Sequence, residues 1–428
     1  MDSKIESSVR RKKFLRIVPF IFILYVISFL DRTNISYATL TMSKDLHFTA
    51  AAFGLGAGIF FAGYLIFQIP VTIFAEKKSA RKWISMTIMV WSAVAIATSL
   101  VNFDWQFYIM RFALGVGEAG LFTSLVVYIS HWFTVKERAG VISILLSAIF
   151  VSQIIGGPIS TQILTYNWGD ITGWRWLFIL EGVPALAIGI MSYFYLKDKP
   201  SQAKWLDAEE KKYLEDQLGF ENKAKTKFDY SWKQAIRDRE TIILCIIYTF
   251  WLATAYALLF FLPTMFSEIT KTPVTTVGYI TAITYTGSLM GLILVGRSSD
   301  KKNERKMHMF IPLVIGIIAL AASMAIHQDA TLATIILAIA VTGIGSAFGI
   351  FWTLPTMFLS RTAAAVSLGV IGTVGNIGGF FGPYITGVLR TTTGSFMQPT
   401  VIMIIFLAIS ASLVLTLRKT QMPNTESA

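Results

Sequence analysis

Long apolar segments recur along this chain from one end to the other, and they constrain its fold more than any other feature. Each is about 20 residues long, enough for an α-helix to cross the roughly 30 Å hydrocarbon core of a bilayer. Only 14% of the residues are charged, whereas soluble domains average about 25%. Because lipid offers no partner to backbone polar groups, segments of this length predict an all-α membrane protein.

Twelve spans are predicted, in two groups of six on either side of a long polar stretch. They are expected at 14–40, 50–75, 82–102, 105–133, 139–165, 174–197, 240–267, 273–297, 307–327, 331–358, 363–389 and 397–417. Residues 1–197 are predicted to form an N-terminal bundle and 240–428 a C-terminal bundle. Acids and bases alternate in 198–239, which is predicted to be a cytoplasmic linker that is partly an amphipathic helix.

The basic residues are concentrated at alternate ends of the spans. They lie before span one, between spans two and three, between spans eight and nine, and after span twelve, and the intervening loops carry almost none. The positive-inside rule therefore predicts that both termini are cytoplasmic. The net charge of +12 follows this topology, so we expect no nucleic acid partner.

The two groups of spans are related by an internal repeat. Gly115-Val116-Gly117 in span four matches Gly343-Ile344-Gly345 in span ten, 228 positions later, and Gly157-Pro158 matches Gly382-Pro383 at an offset of 225. Two pairs at nearly one offset indicate a parallel repeat of two pseudo-symmetric bundles. In transporters, such repeats bind substrate near the membrane midplane, between the two halves.

Four charged residues lie inside apolar spans. Asp31 and Arg32 are in span one, whereas Arg111 and Glu118 are two turns apart on one face of span four. Charges in hydrocarbon are costly and usually find partners or line a cavity. We expect Asp31 to pair with Arg111 or Arg32. Glu118, left without a partner, is then expected to take up a proton, because burial disfavours its charged form.

Several motifs resemble those of one known family of membrane proteins. They are Leu30-Asp31-Arg32-Thr33-Asn34-Ile35 in span one, Gly63-Tyr64 with Gln68-Ile69-Pro70 in span two, and Arg111-Phe112 with Gly115-Val116-Gly117-Glu118-Ala119-Gly120 in span four. The chain resembles the major facilitator superfamily and, within it, the anion:cation symporter family. Gly173–Gly182, Phe351–Pro355 and Gly375–Gly379 resemble the branch of tartrate, phthalate and hydroxyphenylacetate permeases, which is related to galactonate and hexuronate transporters.

This resemblance implies proton-coupled uptake of an organic carboxylate, by alternating access, in the inner membrane. It implies that Arg32 binds the anion and that Asp31 and Glu118 couple protons. A guanidinium can also hold a carboxylate through two hydrogen bonds, which independently favours Arg32. The other predicted substrate-binding residues are Arg111, Tyr64, Gln153, Trp352 and Asn376. Sugar-acid carriers often have a second amide one turn before Asn376, where this chain has Gly372, so aromatic and small hydroxy acids remain open.

Other interpretations remain open at this stage. Asp31, Arg32 and Arg111 could form a neutral cluster that only fixes helix packing, and Arg175 and Glu181 are expected to be structural. The main alternative function is proton-driven efflux of amphipathic compounds by an antiporter. No enzyme motif is found, and the single Cys245 favours no metal site. We expect a monomer without a cofactor, driven by a proton gradient.

Overall fold

The computed structural model describes residues 2–77, 79–223, 232–326, 329–358 and 361–418, and in these ranges the regular structure is helical. An isolated bridge joins Trp168 and Ile171, and a 3-10 turn covers Pro200–Gln202. The helices are α1 (Asp2–Asp45), α2 (Ala50–Lys77), α3 (Ala80–Thr98), α4 (Asp104–Glu118), α5 (Leu121–Ser130), α6 (Val135–Ile163), α7 (Gly173–Tyr195), α8 (Ala208–Lys223), α9 (Trp232–Ala235), α10 (Arg239–Thr270), α11 (Val274–Lys302), α12 (Lys306–Ala325), α13 (Ala330–Ser346), α14 (Phe348–Phe351), α15 (Pro355–Phe358), α16 (Arg361–Thr393) and α17 (Met397–Thr416).

The prediction of an all-helical membrane protein is confirmed. Eleven segments of the described chain are long and apolar enough to cross a membrane, α4 with α5 and α13 with α14 each counting as one. The third predicted span corresponds to α3, which has 19 residues and does not reach the same apolarity. Its first turn contains Arg81 and Lys82, and these two charges lower the mean hydropathy of a helix this short.

The chain divides into two compact units. The first consists of Met1–Leu46 with Ile59–Lys227, and the second of His47–Gly58 with Phe228–Ala428. In the first unit α3 packs against α7 and α4, and α1 packs against α6; in the second, α10 packs against α16, and α12 against α13. Their interiors are filled by large side chains that are almost fully buried, among them Trp91, Trp132, Trp174 and Trp251.

Helix α8 lies within the predicted linker, and it belongs to the first unit. Its Glu210 is buried and accepts hydrogen bonds from Lys12 Nζ at 2.6 Å and Ser8 Oγ at 2.6 Å. Burial by itself raises the pKa of Glu210, but these bonds and one from the backbone N–H of Asp207 outweigh it and hold the pKa below its ordinary value. The linker residues 224–231 lie outside the described residues.

Spans four and ten are both interrupted, and at equivalent positions. Helix α4 ends at Glu118 and α5 begins at Leu121, while α13 ends at Ser346 and α14 begins at Phe348. The residues that cap the C-terminal ends of α4 and α13 are Ala119 and Ala347. They are separated by the same 228 positions as the two Gly-x-Gly motifs, so the internal repeat extends to the local backbone geometry.

Candidate functional site

An ion pair between Arg32 and Glu118 lies at the centre of the candidate site. Arg32 projects from α1, and its Nε and Nη2 donate to Glu118 Oε2 at 2.9 and 2.5 Å. The side chain of Glu118 is 0% exposed and that of Arg32 is 9% exposed. The second carboxylate oxygen, Oε1, is buried and accepts no hydrogen bond from the described residues. The prediction that Glu118 has no partner is therefore wrong.

Aromatic rings surround the Arg32 guanidinium. Its central carbon lies 4.4 Å from the ring centroid of Phe29, 5.0 Å from that of Phe60 and 5.6 Å from that of Tyr64. Ring faces attract cations without supplying a counter-charge, and each such contact contributes about 0.5–2 kcal/mol as water is excluded. The rings thus hold Arg32 in place while leaving its charge available to a single carboxylate.

Arg111 reaches the same group of rings from α4. It is 1% exposed, and its guanidinium carbon lies 5.1 Å from the centroid of Phe60. One ring, Phe60, therefore contacts both predicted arginines. The helices that carry Phe60 and Arg111 approach closely because Gly115 has no side chain: a Cβ there would lie 2.0 Å from the carbonyl oxygen of Phe60.

The break after Glu118 depends on Gly120, whose φ of 80° lies in the left-handed region. A Cβ at this residue would also lie 2.1 Å from Cγ1 of Val71 on α2. Ending α4 here makes Glu118 its last residue. Helix C-termini carry partial negative charge, so an ionised carboxylate at this position needs a cation, and Arg32 supplies it.

Asp31 points away from the ring-lined ion pair. Its Oδ2 accepts a hydrogen bond of 2.8 Å from Trp91 Nε1 on α3, and it is 1% exposed. Within the described chain Asp31 forms no ion pair with Arg32 or Arg111, so the predicted pairing is wrong. Neighbouring helical positions differ in direction by about 100°, which explains why Asp31 and Arg32 meet different helices.

Gln153 is the predicted site residue on α6. It is 1% exposed, and its Nε2 donates to Thr33 Oγ1 at 2.8 Å. The Thr33 hydroxyl in turn donates to the carbonyl oxygen of Phe29 at 2.7 Å. Gln153 is therefore linked to the turn of α1 that carries Arg32, which fits a role in positioning this turn.

Trp352 and Asn376 lie in the second unit, near Gly372. Asn376 Nδ2 donates to the carbonyl oxygen of Gly372 at 2.8 Å, and a Cβ at Gly372 would lie 3.7 Å from the indole of Trp352. The indole packs edge-on against Tyr248, with ring centroids 5.1 Å apart. The 3.7 Å separation is an ordinary van der Waals distance, so Gly372 leaves this edge of the Trp352 indole uncovered by a side chain of its own.

The second unit also contains a buried charge. Glu240, in the first turn of α10, is 2% exposed and pairs with Arg239 at 2.6 Å and Arg418 at 3.3 Å. These three charges lie at the start of α10 and the end of α17. Both arginines pair with Oε1 of Glu240, so this buried carboxylate has two counter-ions, while its Oε2 accepts no hydrogen bond from the described residues.

Two contributors to the first-unit site were not predicted from sequence. Phe60 is one turn before Tyr64, which a search for aromatic pairs at helical spacing beside the Gly63 motif could have found. Trp91 offered no such signal, because its indole N–H is recognised as functional only through its contact with Asp31. Arg175 has the structural role expected of it, donating to Ser99 O and Asn102 Oδ1.

Comparison with known proteins decides the family. The family model described as "Major Facilitator Superfamily" matches residues 21–383, most of the chain. The chain belongs to the major facilitator superfamily. It is therefore a multi-pass membrane transporter rather than an enzyme, and the predicted fold is confirmed.

Relatives within the superfamily cover nearly the whole chain. A protein of Agrobacterium vitis that is named as a tartrate transporter is 37% identical over 99% of this chain and 98% of its own length. A protein of Acinetobacter baumannii named "Quinolone resistance transporter" is 30% identical over 91% and 90%. A crystal structure of a bacterial homologue of the human lysosomal transporter Spinster has a TM-score of 0.79 at 18% identity and covers 93% of this chain and 95% of the other, which supports the fold.

Proposed function

We propose that this transporter takes up an organic carboxylate together with a proton across the bacterial inner membrane, with both chain termini on the cytoplasmic side. The observation that carries the proposal is the buried Arg32, whose counter-ion Glu118 uses one oxygen and keeps the other without a hydrogen-bond partner among the residues that the structure describes. The tartrate transporter relatives, at 37% identity, make tartrate the first substrate to test.

Competition for Arg32 explains how proton and anion would be coupled. In the empty carrier the guanidinium binds the Glu118 carboxylate. A proton on Glu118 Oε1 neutralises that carboxylate and releases the guanidinium, which can then hold a substrate carboxylate through two parallel hydrogen bonds. Proton binding and anion binding therefore favour each other. The proton on Glu118 releases Arg32 for the anion, and the bound anion occupies the guanidinium that kept Glu118 ionised.

Other predicted residues support this site. Gln153 and the aromatic rings hold the Arg32 turn, and Arg111 adds a second positive charge beside Phe60. In the second unit, we propose that Trp352 and Asn376 bind substrate through an aromatic surface and one amide. A single amide matches a small acid better than a long polyhydroxylated one, which agrees with tartrate as the first candidate.

The experiment measures uptake by purified protein in proteoliposomes, using labelled tartrate, a hexonate, phthalate and hydroxyphenylacetate, with and without an inward proton gradient. We expect gradient-stimulated accumulation of one acid. Glu118→Gln should abolish accumulation but permit exchange of labelled for unlabelled substrate, because Arg32 is then permanently released. Glu240→Gln removes an equally buried, arginine-paired carboxylate in the second unit and is the matched control. Normal accumulation in Glu118→Gln would refute the coupling role.

The quinolone-resistance relative keeps proton-driven efflux as the second candidate. The same proteoliposomes distinguish the two directions when they are preloaded with a quinolone. Loss of the preloaded quinolone as protons enter, with no accumulation of any acid, would establish efflux. The buried charges of the first unit would then have only a structural role.

A further inference from the structure

The first unit contains a second acidic group, formed by Asp31 on α1 and Glu181 on α7. Glu181 lies against the helix that Asp31 contacts, because a Cβ at Gly182, the next residue, would lie 3.4 Å from the carbonyl oxygen of Ser92 on α3. Asp31 Oδ2 accepts from Trp91 Nε1 at 2.8 Å, and Glu181 Oε1 accepts from Ser160 Oγ at 2.7 Å. The remaining oxygens, Asp31 Oδ1 and Glu181 Oε2, are buried and have no hydrogen-bond partner among the described residues.

An unsatisfied amide faces the same group. Asn34 is three positions after Asp31, on the same side of α1, is 1% exposed and lies beside the Glu181 carboxyl. Neither its oxygen nor its nitrogen forms a hydrogen bond of ordinary length with the described residues. Buried polar atoms are seldom left in this way. A carboxyl O–H would add a second donor group to this cluster of three acceptor oxygens and one amide N–H₂.

Charge balance points to the same pair. Away from the ends of the predicted spans, the interior of the first unit contains three carboxyls, Asp31, Glu118 and Glu181, and two guanidiniums, Arg32 and Arg111. With every group ionised this interior carries one uncompensated negative charge, which is costly in a low-dielectric environment. Glu118 has Arg32 as its counter-ion, whereas neither Asp31 nor Glu181 forms an ion pair with a described residue. One added proton restores neutrality.

We propose that Asp31 and Glu181 share one proton in the substrate-free carrier, and that Glu181 is a proton-holding residue of the transport cycle. Two carboxylates close together in a dry interior titrate as a pair and retain a proton between them. Asp31 is followed directly by Arg32, the counter-ion of Glu118, which links the shared proton to the Arg32 site. The role in transport rests on the proposed function, but the shared proton does not.

Infrared spectroscopy of the purified protein at neutral pH tests the shared proton without any substrate. A protonated carboxyl has a carbonyl stretch that is separate from that of a carboxylate and that shifts in D₂O. We expect this band in the natural protein. It should disappear in Glu181→Gln and equally in Asp31→Asn, because either substitution leaves two carboxyls with two guanidiniums. Glu240→Gln, whose carboxylate is paired with two arginines, should keep the band.

Each other result counts against the proposal. Absence of the band from the natural protein, or its survival in Glu181→Gln, would place the proton elsewhere or show that none is held. Because the substitutions remove a surplus buried acid, both variants should melt at or above the temperature of the natural protein. Failure of both to fold would therefore contradict the charge count.

Transport assays separate this inference from the proposed function. In proteoliposomes, Glu181→Gln should reduce gradient-driven tartrate accumulation to near the equilibrium level while tartrate exchange continues. Full accumulation in that variant would overturn the transport role of Glu181. If the natural protein moves no acid but the band behaves as expected, the shared proton stands and the proposed function fails.

Discussion

The Arg32–Glu118 ion pair makes a quantitative prediction about stability. In Arg32→Gln, Glu118 stays buried at 0% exposure without its counter-ion, and breaking a buried pair in this way costs about 3–5 kcal/mol. In Glu118→Gln, the Arg32 guanidinium keeps its contacts with three aromatic rings, so we expect a smaller cost of about 2 kcal/mol. The double variant leaves two amides that can hydrogen-bond to each other.

The double-mutant cycle isolates the interaction between the two residues. We expect the double variant to be more stable than the sum of the single effects predicts, by about 2–3 kcal/mol. Thermal unfolding in detergent at neutral pH measures this. For a unit of about 200 residues, the cost of Arg32→Gln corresponds to a fall in melting temperature of roughly 10 °C.

Two results would refute this account of the ion pair. Additive effects, with a coupling below about 0.5 kcal/mol, would mean that Glu118 does not depend on Arg32 for its compensation. A larger loss of stability in Glu118→Gln than in Arg32→Gln would mean that the aromatic rings do not support the arginine charge. In either case, competition between Glu118 and substrate for Arg32 would lose its physical basis.

Two further predictions concern packing and pH. Gly115→Ala should destabilise the protein by more than about 3 kcal/mol, because its Cβ would lie 2.0 Å from Phe60 O. The control is Gly140→Ala, whose Cβ would have no atom within 4 Å and which should be neutral or stabilising by up to about 1 kcal/mol. Similar melting temperatures for the two variants would contradict the close helix contact. Glu210→Gln should cost about 1 kcal/mol at pH 7 through its partly exposed pair with Lys12. Because the pKa of Glu210 is lowered in the folded state, this contribution to stability is complete above about pH 4.3 and is lost as the pH falls through the lowered pKa. A difference in stability between the natural protein and the variant that persists in acid would disprove it.

The predictable parts of the site are the residues that a short stretch of sequence is enough to identify. Arg32, Arg111 and Glu118 were identifiable because a charge inside an apolar span is conspicuous whatever surrounds it. Gly115 and Gly120 were identifiable as motif residues, although the structure requires a glycine at the two positions for different reasons. The first permits a close approach to the Phe60 backbone, and the second adopts a left-handed conformation that ends α4.

The partners of those charges were not predictable. Depth along a span can be counted at 1.5 Å per residue, but the rotation of one helix against another cannot be counted from either sequence. The rotation of α1 about its own axis decides whether Asp31 or Arg32 faces α4. For this reason the sequence did not show that Glu118 pairs with Arg32. It also did not show that Asp31 accepts a hydrogen bond from Trp91, whose side chain carries no charge to suggest the contact.

The sequence by itself determined that this is a helical membrane transporter with charges inside its first and fourth spans, because hydropathy, length and charge are properties of each segment alone. Only the tertiary structure decided that Arg32 meets Glu118, 86 positions away, and that Asp31 accepts a hydrogen bond from Trp91 instead. Contacts between helices depend on how their faces pack together, and the energetic cost of a buried charge depends on those contacts.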